Sequence, residues 1–327
     1  MIVVEEPGFM TTVQDAGRPG HYRRGIPPSG AMDMESYTLA NALVDNRPGS
    51  AVLEFTFMGP RLTFSAPATV AITGGEIPIL LNGNPVEPWR SHHVQPGEVL
   101  SFGFLQTGVR GYIAVAGGFD VTEFLGSRST HVNSGFGGFD GRKLHAGDIL
   151  HLLPPEHASF HAVRKLSAEH VPHRAKDVTL RYVPGLFDYR LTEEGRRDFE
   201  EREWAVTPNA DRTGIRLSCK NSSALEFVHR EQPFGAGSDP SNVVDAGYPI
   251  GAIQIPSGTE PIVLARDAVT AGGYCTVGTV ITADLDVLGQ APTHGRVRFH
   301  AVSLEEAMSA RHERRDRIAR ACESLSS

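Results

Sequence analysis

Thr69-Val70-Ala71-Ile72-Thr73-Gly74-Gly75, followed shortly by Ile79-Leu80-Leu81-Asn82-Gly83-Asn84, reads as two strands and a hairpin turn. β-Branched residues crowd the first run. Asn-Gly closes the second because both central positions of a type I′ turn need positive φ. The same pattern recurs on either side. Val52-Leu53-Glu54-Phe55-Thr56-Phe57 alternates, and Pro96-Gly97-Glu98 leads into Val99-Leu100-Ser101-Phe102. Gly111-Tyr112-Ile113-Ala114-Val115-Ala116 stops at Gly117-Gly118, and Ala146-Gly147-Asp148 leads into Ile149-Leu150-His151-Leu152. Short strands about ten residues apart, separated by such turns, predict a closed barrel or sandwich. The 35 glycines and 22 prolines in 327 residues fit many turns and argue against a helical bundle.

Helices are few. Met34, Tyr37, Leu39, Ala40, Leu43 and Val44 recur at helical spacing, so Asp33 to Asn46 reads as a helix with Asp33 as its N-cap. A charged helix is expected from Thr192 to Glu203. The length suggests two domains. The expected division is a β domain over 1–160, a linker over 161–177 within the polar stretch that begins at Pro154-Pro155, and a second β domain over 178–302. A charged helical tail over 303–327 completes it.

Composition excludes several classes. Hydrophobic residues are 40% and charged residues 21%, which is a folded chain. A net charge of −7 lacks the basic footprint of a nucleic-acid binder. No apolar run approaches a membrane span, and Met1-Ile2-Val3-Val4-Glu5-Glu6 lacks the basic start of a signal peptide. Cys219, Cys275 and Cys322 are odd in number and far apart, so a reduced cytoplasmic setting is expected, with Cys275 a buried thiol. No metal site is expected: His157 and His161, four apart, read as part of a solvated connection, and His92-His93 as a loop pair. G-x-S-x-G, H-E-x-x-H and the P-loop pattern are absent.

Three stretches concentrate polar, charged and glycine residues outside the helices. The first is Thr11-Thr12-Val13-Gln14-Asp15-Ala16-Gly17-Arg18-Pro19-Gly20, continuing to Ser29 and Asp33. The second is Thr207-Pro208-Asn209-Ala210-Asp211-Arg212-Thr213-Gly214. The third runs from Asp245 through Tyr248 and Gln254 to Arg266-Asp267, Thr270 and Gly272-Gly273-Tyr274. Each sets an aspartate beside an arginine: Asp15 with Arg18, Asp211 with Arg212, Asp267 with Arg266. A carboxylate kept ionised by a neighbouring cation can accept a proton from, or orient, an amide N–H. A guanidinium suits a carboxylate, a phosphate or a developing oxyanion. Gln14, Asn209 and Gln254 offer amides that read an amide or urea edge. The expected catalytic set is Asp15, Arg18, Asp211, Arg212 and Asp267. Gln14, Ser29, Asp33, Asn209, Gln254, Thr270, Gly272, Gly273 and Tyr274 are expected to bind substrate.

These stretches, with Ser29-Gly30-Ala31-Met32-Asp33, Ala40-Asn41-Ala42-Leu43-Val44-Asp45-Asn46 and Gly126-Ser127-Arg128-Ser129-Thr130, resemble one family over residues 1 to about 300. It is the KipA family, also called allophanate hydrolase subunit 2, biotin-dependent carboxyltransferase or the C subunit of 5-oxoprolinase. The sequence departs from the family pattern at Cys275, where proline is usual. The resemblance implies a mainly β fold of two cyclophilin-like β-barrel domains with a cleft between them. It implies a KipI-type partner (the B component of 5-oxoprolinase) and a LamB/YcsF-type A component. It also implies alternative activities. One is ATP-dependent opening of the 5-oxoproline lactam to glutamate, with ATP used by the complex. Another is transfer of a carboxyl group from carboxybiotin, held on a separate carrier, to urea or a related amide. A third is regulatory antagonism of the KipI-type partner.

Overall fold

The computed structural model describes residues 1–155, 163–220 and 223–325. The chain forms two compact units. The first comprises Met1–Arg18, Ser29–Arg174 and Arg315–Ser327, and the second Pro19–Pro28 and Ala175–Arg314. The fold is mainly β, and the described residues form four α-helices: α1 (Met34–Leu43), α2 (Glu193–Glu201), α3 (Leu285–Gly289) and α4 (Leu304–Glu323). Among the described residues no helix is long and apolar enough to cross a membrane.

In the first unit the strands hydrogen-bond in two antiparallel sheets. Five strands run in the order Thr12–Gln14, Val52–Thr56, Arg110–Val115, Ala68–Gly74, Ser91–Val94. Six run in the order Ile149–Leu150, Ile2–Glu6, Arg61–Phe64, Val99–Phe102, Ile79–Leu81, Asn84–Pro85. Alternation along the strands decides what faces where. Leu53, Phe55, Val70, Ile72, Ile113 and Val115 join Ile2, Val4, Leu62, Phe64 and Leu100 in one core. Their neighbours Val52, Ala71, Tyr112 and Ala114 pack with Tyr37, Leu39, Ala40 and Leu43 of α1 in another. The central strand Arg110–Val115 is therefore buried at every position, as expected of a strand covered on both faces. Asp33 caps α1, accepting from Ser36 N at 3.0 Å and Ser36 Oγ at 2.7 Å. The helix stops at Leu43 rather than Asn46, because Asp45 takes φ +59°.

Two expectations change here. His92 and His93 lie in the strand Ser91–Val94, not in a loop. The described part of the expected linker packs on the first unit up to Arg174. Leu166 is buried and donates its N–H to Trp89 O, Arg164 pairs with Asp45, and Arg174 pairs with Asp33. The polar composition that suggested a free connection supplies these ion pairs instead. His157 and His161 lie outside the described residues. At the other end of the chain, Pro19–Pro28 counts with the second unit and Arg315–Ser327 with the first.

The second unit is a closed seven-stranded barrel. Its order is Val178–Pro184, Thr276–Val280, Ala252–Gln254, Ile262–Leu264, Gly214–Ser218, Trp204–Val206, Arg296–Ala301. It closes by parallel pairing of its first strand with its last, Val178 opposite Val297. The helix α2, capped by Thr192, buries Phe199. Phe199 stacks on Phe299 at 4.6 Å, and Tyr182 stands edge-on to both rings. Trp204 is fully buried beside them, its Nε1 donating to Phe199 O at 3.0 Å. Trp204→Ala leaves a large cavity and an unmet carbonyl, and is expected to lower stability by about 3–5 kcal/mol. Chemical denaturation checks this, and a loss below about 1 kcal/mol would contradict the packing.

Candidate functional site

In the first unit, the first polar stretch organises one loop. Asp15, nearly buried, accepts from Gly17 N at 2.7 Å, Ser127 Oγ at 2.6 Å, Arg128 N at 2.5 Å and Ser129 Oγ at 2.5 Å. Three of these donors converge on Oδ1, and Arg128 N binds Oδ2. Arg18, also buried, donates to the carbonyls of Ser129 and Phe124, and its guanidinium lies 5.0 Å from the centre of the Phe136 ring. Aspartate and arginine thus grip the same Gly126–Thr130 segment, one by its donors and the other by its carbonyls. Gln14 holds it further, donating to Thr12 Oγ1 and Thr130 O. Ser29 is fully buried at φ +54°, and Gly30 follows at φ +89°. A Cβ on Gly30 would stand 2.9 Å from Gly17 N, so glycine is required where the two halves of the stretch meet. Asp33 is spent on the α1 cap and on Arg174, 2.6 Å away.

In the second unit, the expected pairing of neighbours is replaced by a pairing across the fold. Arg212 Nε and Nη2 donate to Asp267 Oδ2 at 2.8 Å and Oδ1 at 3.2 Å. Asp267 N donates to Arg212 O, so backbone and side chain reinforce each other. Asp211 instead folds back onto its own turn, accepting from Thr213 N and Gly214 N. A short carboxylate two residues before a turn amide makes this local bond at little entropic cost. Asn209 sits exposed in that turn.

The ends of the third stretch pair in a two-stranded antiparallel sheet, Asn242–Gly247 with Ala271–Tyr274. Tyr248, almost fully buried, ties it down. Its hydroxyl donates to Tyr274 O at 2.6 Å and accepts from Tyr274 N at 2.7 Å. Burial pushes the Tyr248 phenol up, while hydrogen bonds from the Tyr274 backbone and the Gln254 side chain oppose it. A Cβ on Gly272 would lie 3.1 Å from the Tyr248 ring, tighter than ordinary packing. Gly272, Tyr274 and Gln254 are therefore brought together around one phenol. Cys275 is fully buried, and burial pushes its thiol up to about 11.

Beside this two-stranded sheet opens a cavity of about 660 Å3. It is lined by Gly247, Tyr248, Pro249, Thr270 and Ala271 together with Tyr22, Arg23 and Gly25. Tyr22 to Arg24 make one turn of 3₁₀ helix ended by Gly25 at φ +74°. Burial pushes the Tyr22 phenol up, and the nearby Arg266 charge pulls it back. Of the cavity residues, Gly247, Tyr248, Pro249, Thr270 and Ala271 lie within the third stretch singled out in the sequence, and among them Thr270 was expected to bind substrate. Tyr22 and Arg23 were hidden inside a glycine-rich run, where the only signal is an aromatic ring flanked by basic residues.

Comparison with known proteins gives a consistent result. Residues 24–301 match the family model described as carboxyltransferase domain, subdomain A and B. The urea amidolyase of Lachancea kluyveri is 35% identical over 316 residues, covering 93% of this chain and 17% of that protein. The 5-oxoprolinase C subunit of Escherichia coli is 32% identical over 314 residues, covering 96% of this chain and 95% of that one. The crystal structure of the Kluyveromyces lactis urea amidolyase superimposes with a TM-score of 0.91 at 32% identity, over 98% of this chain and 20% of that one. The chain thus spans about a fifth of the length of the urea amidolyases it resembles.

Two outcomes follow from the geometry of the second unit. Arg212→Met leaves the Asp267 carboxylate buried without its cation and is expected to cost about 3–5 kcal/mol, while adding Asp267→Leu restores most of the loss. Equal losses in the single and double variants would show that the pair is not coupled. At pH 8, iodoacetamide is expected to label Cys219 and Cys322 in the folded protein and to reach Cys275 only after denaturation. Peptide mass spectrometry reads this directly, and early labelling of Cys275 would contradict its burial.

Proposed function

This chain belongs to the carboxyltransferase domain A and B family, and we propose that it is a subunit of an ATP-dependent complex of the 5-oxoprolinase type. In this reading the complex opens the 5-oxoproline lactam to glutamate in the cytoplasm. Its partners are a KipI-type B component and a LamB/YcsF-type A component. The observation that carries the reading is the reciprocal coverage with the 5-oxoprolinase C subunit, 96% of this chain against 95% of the relative. The cavity supports it physically. Its volume of about 660 Å3 falls within the ~300–1,000 Å3 of small-molecule sites. Its glycines let a planar N–C=O unit approach the backbone, and the Thr270 hydroxyl can donate to or accept from that edge.

Residue roles follow from which groups still have capacity. Asp15 has four donors on its carboxylate and Asp267 is held by Arg212. Both therefore act as positioning residues rather than proton acceptors. Asp15 and Arg18 hold the Gly126–Thr130 loop, and Arg212 with Asp267 holds the chain that leads into Thr270. ATP, used by the complex, supplies the driving force for ring opening, and no step through it is assigned to this chain.

A second reading is transfer of a carboxyl group from carboxybiotin on a separate carrier to urea or a related amide. The TM-score of 0.91 against the urea amidolyase favours it. Reconstitution separates the two. With partner subunits and ATP, glutamate is expected to form from 5-oxoproline and to stop when this chain is omitted. Folded, assembled subunits that release no glutamate, yet carboxylate urea when given carboxybiotin, would overturn the first reading in favour of the second.

A further inference from the structure

Arginines in the second unit are, for the most part, already matched. Arg181, Arg212, Arg216, Arg296 and Arg314 each lie within ion-pair distance of a carboxylate. Arg23 does not: among the described residues it has neither a carboxylate nor a hydrogen-bond partner. Yet it stands on the wall of the cavity, on the one-turn helix Tyr22–Arg24, whose end is fixed by Gly25. In the same lining, the Thr270 hydroxyl also lacks a partner among the described residues, while Thr270 O is used by Tyr248 N at 2.9 Å. No Asp or Glu lines the cavity among the described residues. An unmatched guanidinium on a concave wall without carboxylates is complementary to a ligand that brings its own anion.

We infer that Arg23 makes this cavity selective for small amides that carry a carboxylate, and that it discriminates against neutral amides and ureas of the same size. The planar fork of Arg23 takes the carboxylate in two parallel hydrogen bonds. The amide edge of the same molecule then meets Thr270 and the backbone of Gly247. Tyr22 and Tyr248 enclose the ring between them. A Cβ built on Gly247 meets nothing nearer than Thr270 O at 4.0 Å, so there is room beside this stretch of backbone. This inference takes the cavity as the site of the 5-oxoproline reading and adds the residue that reads the substrate. It separates the two activities, because 5-oxoproline is an anion and urea is not.

The test compares three ligands on the assembled complex. 5-Oxoproline and 2-pyrrolidinone share the lactam ring and differ in the carboxylate, and urea is the neutral acceptor of the alternative. By isothermal titration, 5-oxoproline is expected to bind at least about tenfold tighter than 2-pyrrolidinone. Arg23→Gln is expected to abolish that preference and to raise KM for 5-oxoproline about tenfold, with the loss carried by KM rather than kcat. Arg23→Lys restores the charge without the fork and is expected to fall between. Arg23 is exposed, so each variant should melt as the parent does. An active complex whose KM is unchanged by Arg23→Gln would overturn the inference and leave the proposed function standing. A complex that fails to open 5-oxoproline, yet keeps a carboxylate preference that Arg23→Gln removes, would overturn the proposed function and leave the inference standing. Equal binding of 5-oxoproline and 2-pyrrolidinone by the parent complex would overturn the inference outright.

Discussion

The ion pair between Arg212 and Asp267 is the constraint on which the second unit's site depends. It joins the turn after Trp204–Val206 to the segment between Ile262–Leu264 and the strand Ala271–Tyr274. Backbone bonds from Asp267 N to Arg212 O and from Ala265 N to Thr213 O run alongside it. The segment so fixed ends in Thr270 and Ala271, which wall the cavity. A buried pair of this kind adds little net stability compared with apolar packing, but breaking one half is costly. Its value lies in allowing a single position for the chain that carries Thr270.

The first unit uses charge in the same way. Asp15 and Arg18 are three residues apart, yet each reaches more than a hundred residues along the chain to the Gly126–Thr130 loop. The Asp15 carboxylate is held by two serine hydroxyls and two backbone N–H groups. It has ample capacity to hold a loop that would otherwise expose unpaired amides. The Ser29-Gly30 corner, with its positive φ angles, lets the other half of the stretch close over Ala16 and Gly17.

The strands were legible because their signals are local. Asn82-Gly83 and the alternation of Val52–Thr56 act over a few residues, and the structure follows them. The α1 cap was legible for the same reason: Asp33 and Ser36 are one helical turn apart. The candidate-site residues were only partly legible, because ion pairs are not local. Asp211 and Arg212 are adjacent in sequence, yet one closes a turn and the other crosses to Asp267. Within a turn, neighbouring side chains are directed to different partners, so proximity in sequence says little about pairing. The polar run after Pro155 misled in the same way, since charge that suggests solvent can equally be spent on Asp33, Asp45 and Glu87. Tyr22 and Arg23 were missed because nothing in their own sequence shows that they line a cavity with residues more than two hundred positions away.

The account is tested most directly by a crystal structure of the chain, with its partner subunits, soaked with 5-oxoproline. It predicts ring density between Tyr22 and Tyr248, with the carboxylate on the Arg23 guanidinium and the amide edge at Thr270. Ligand bound elsewhere, with that cavity empty, would contradict it.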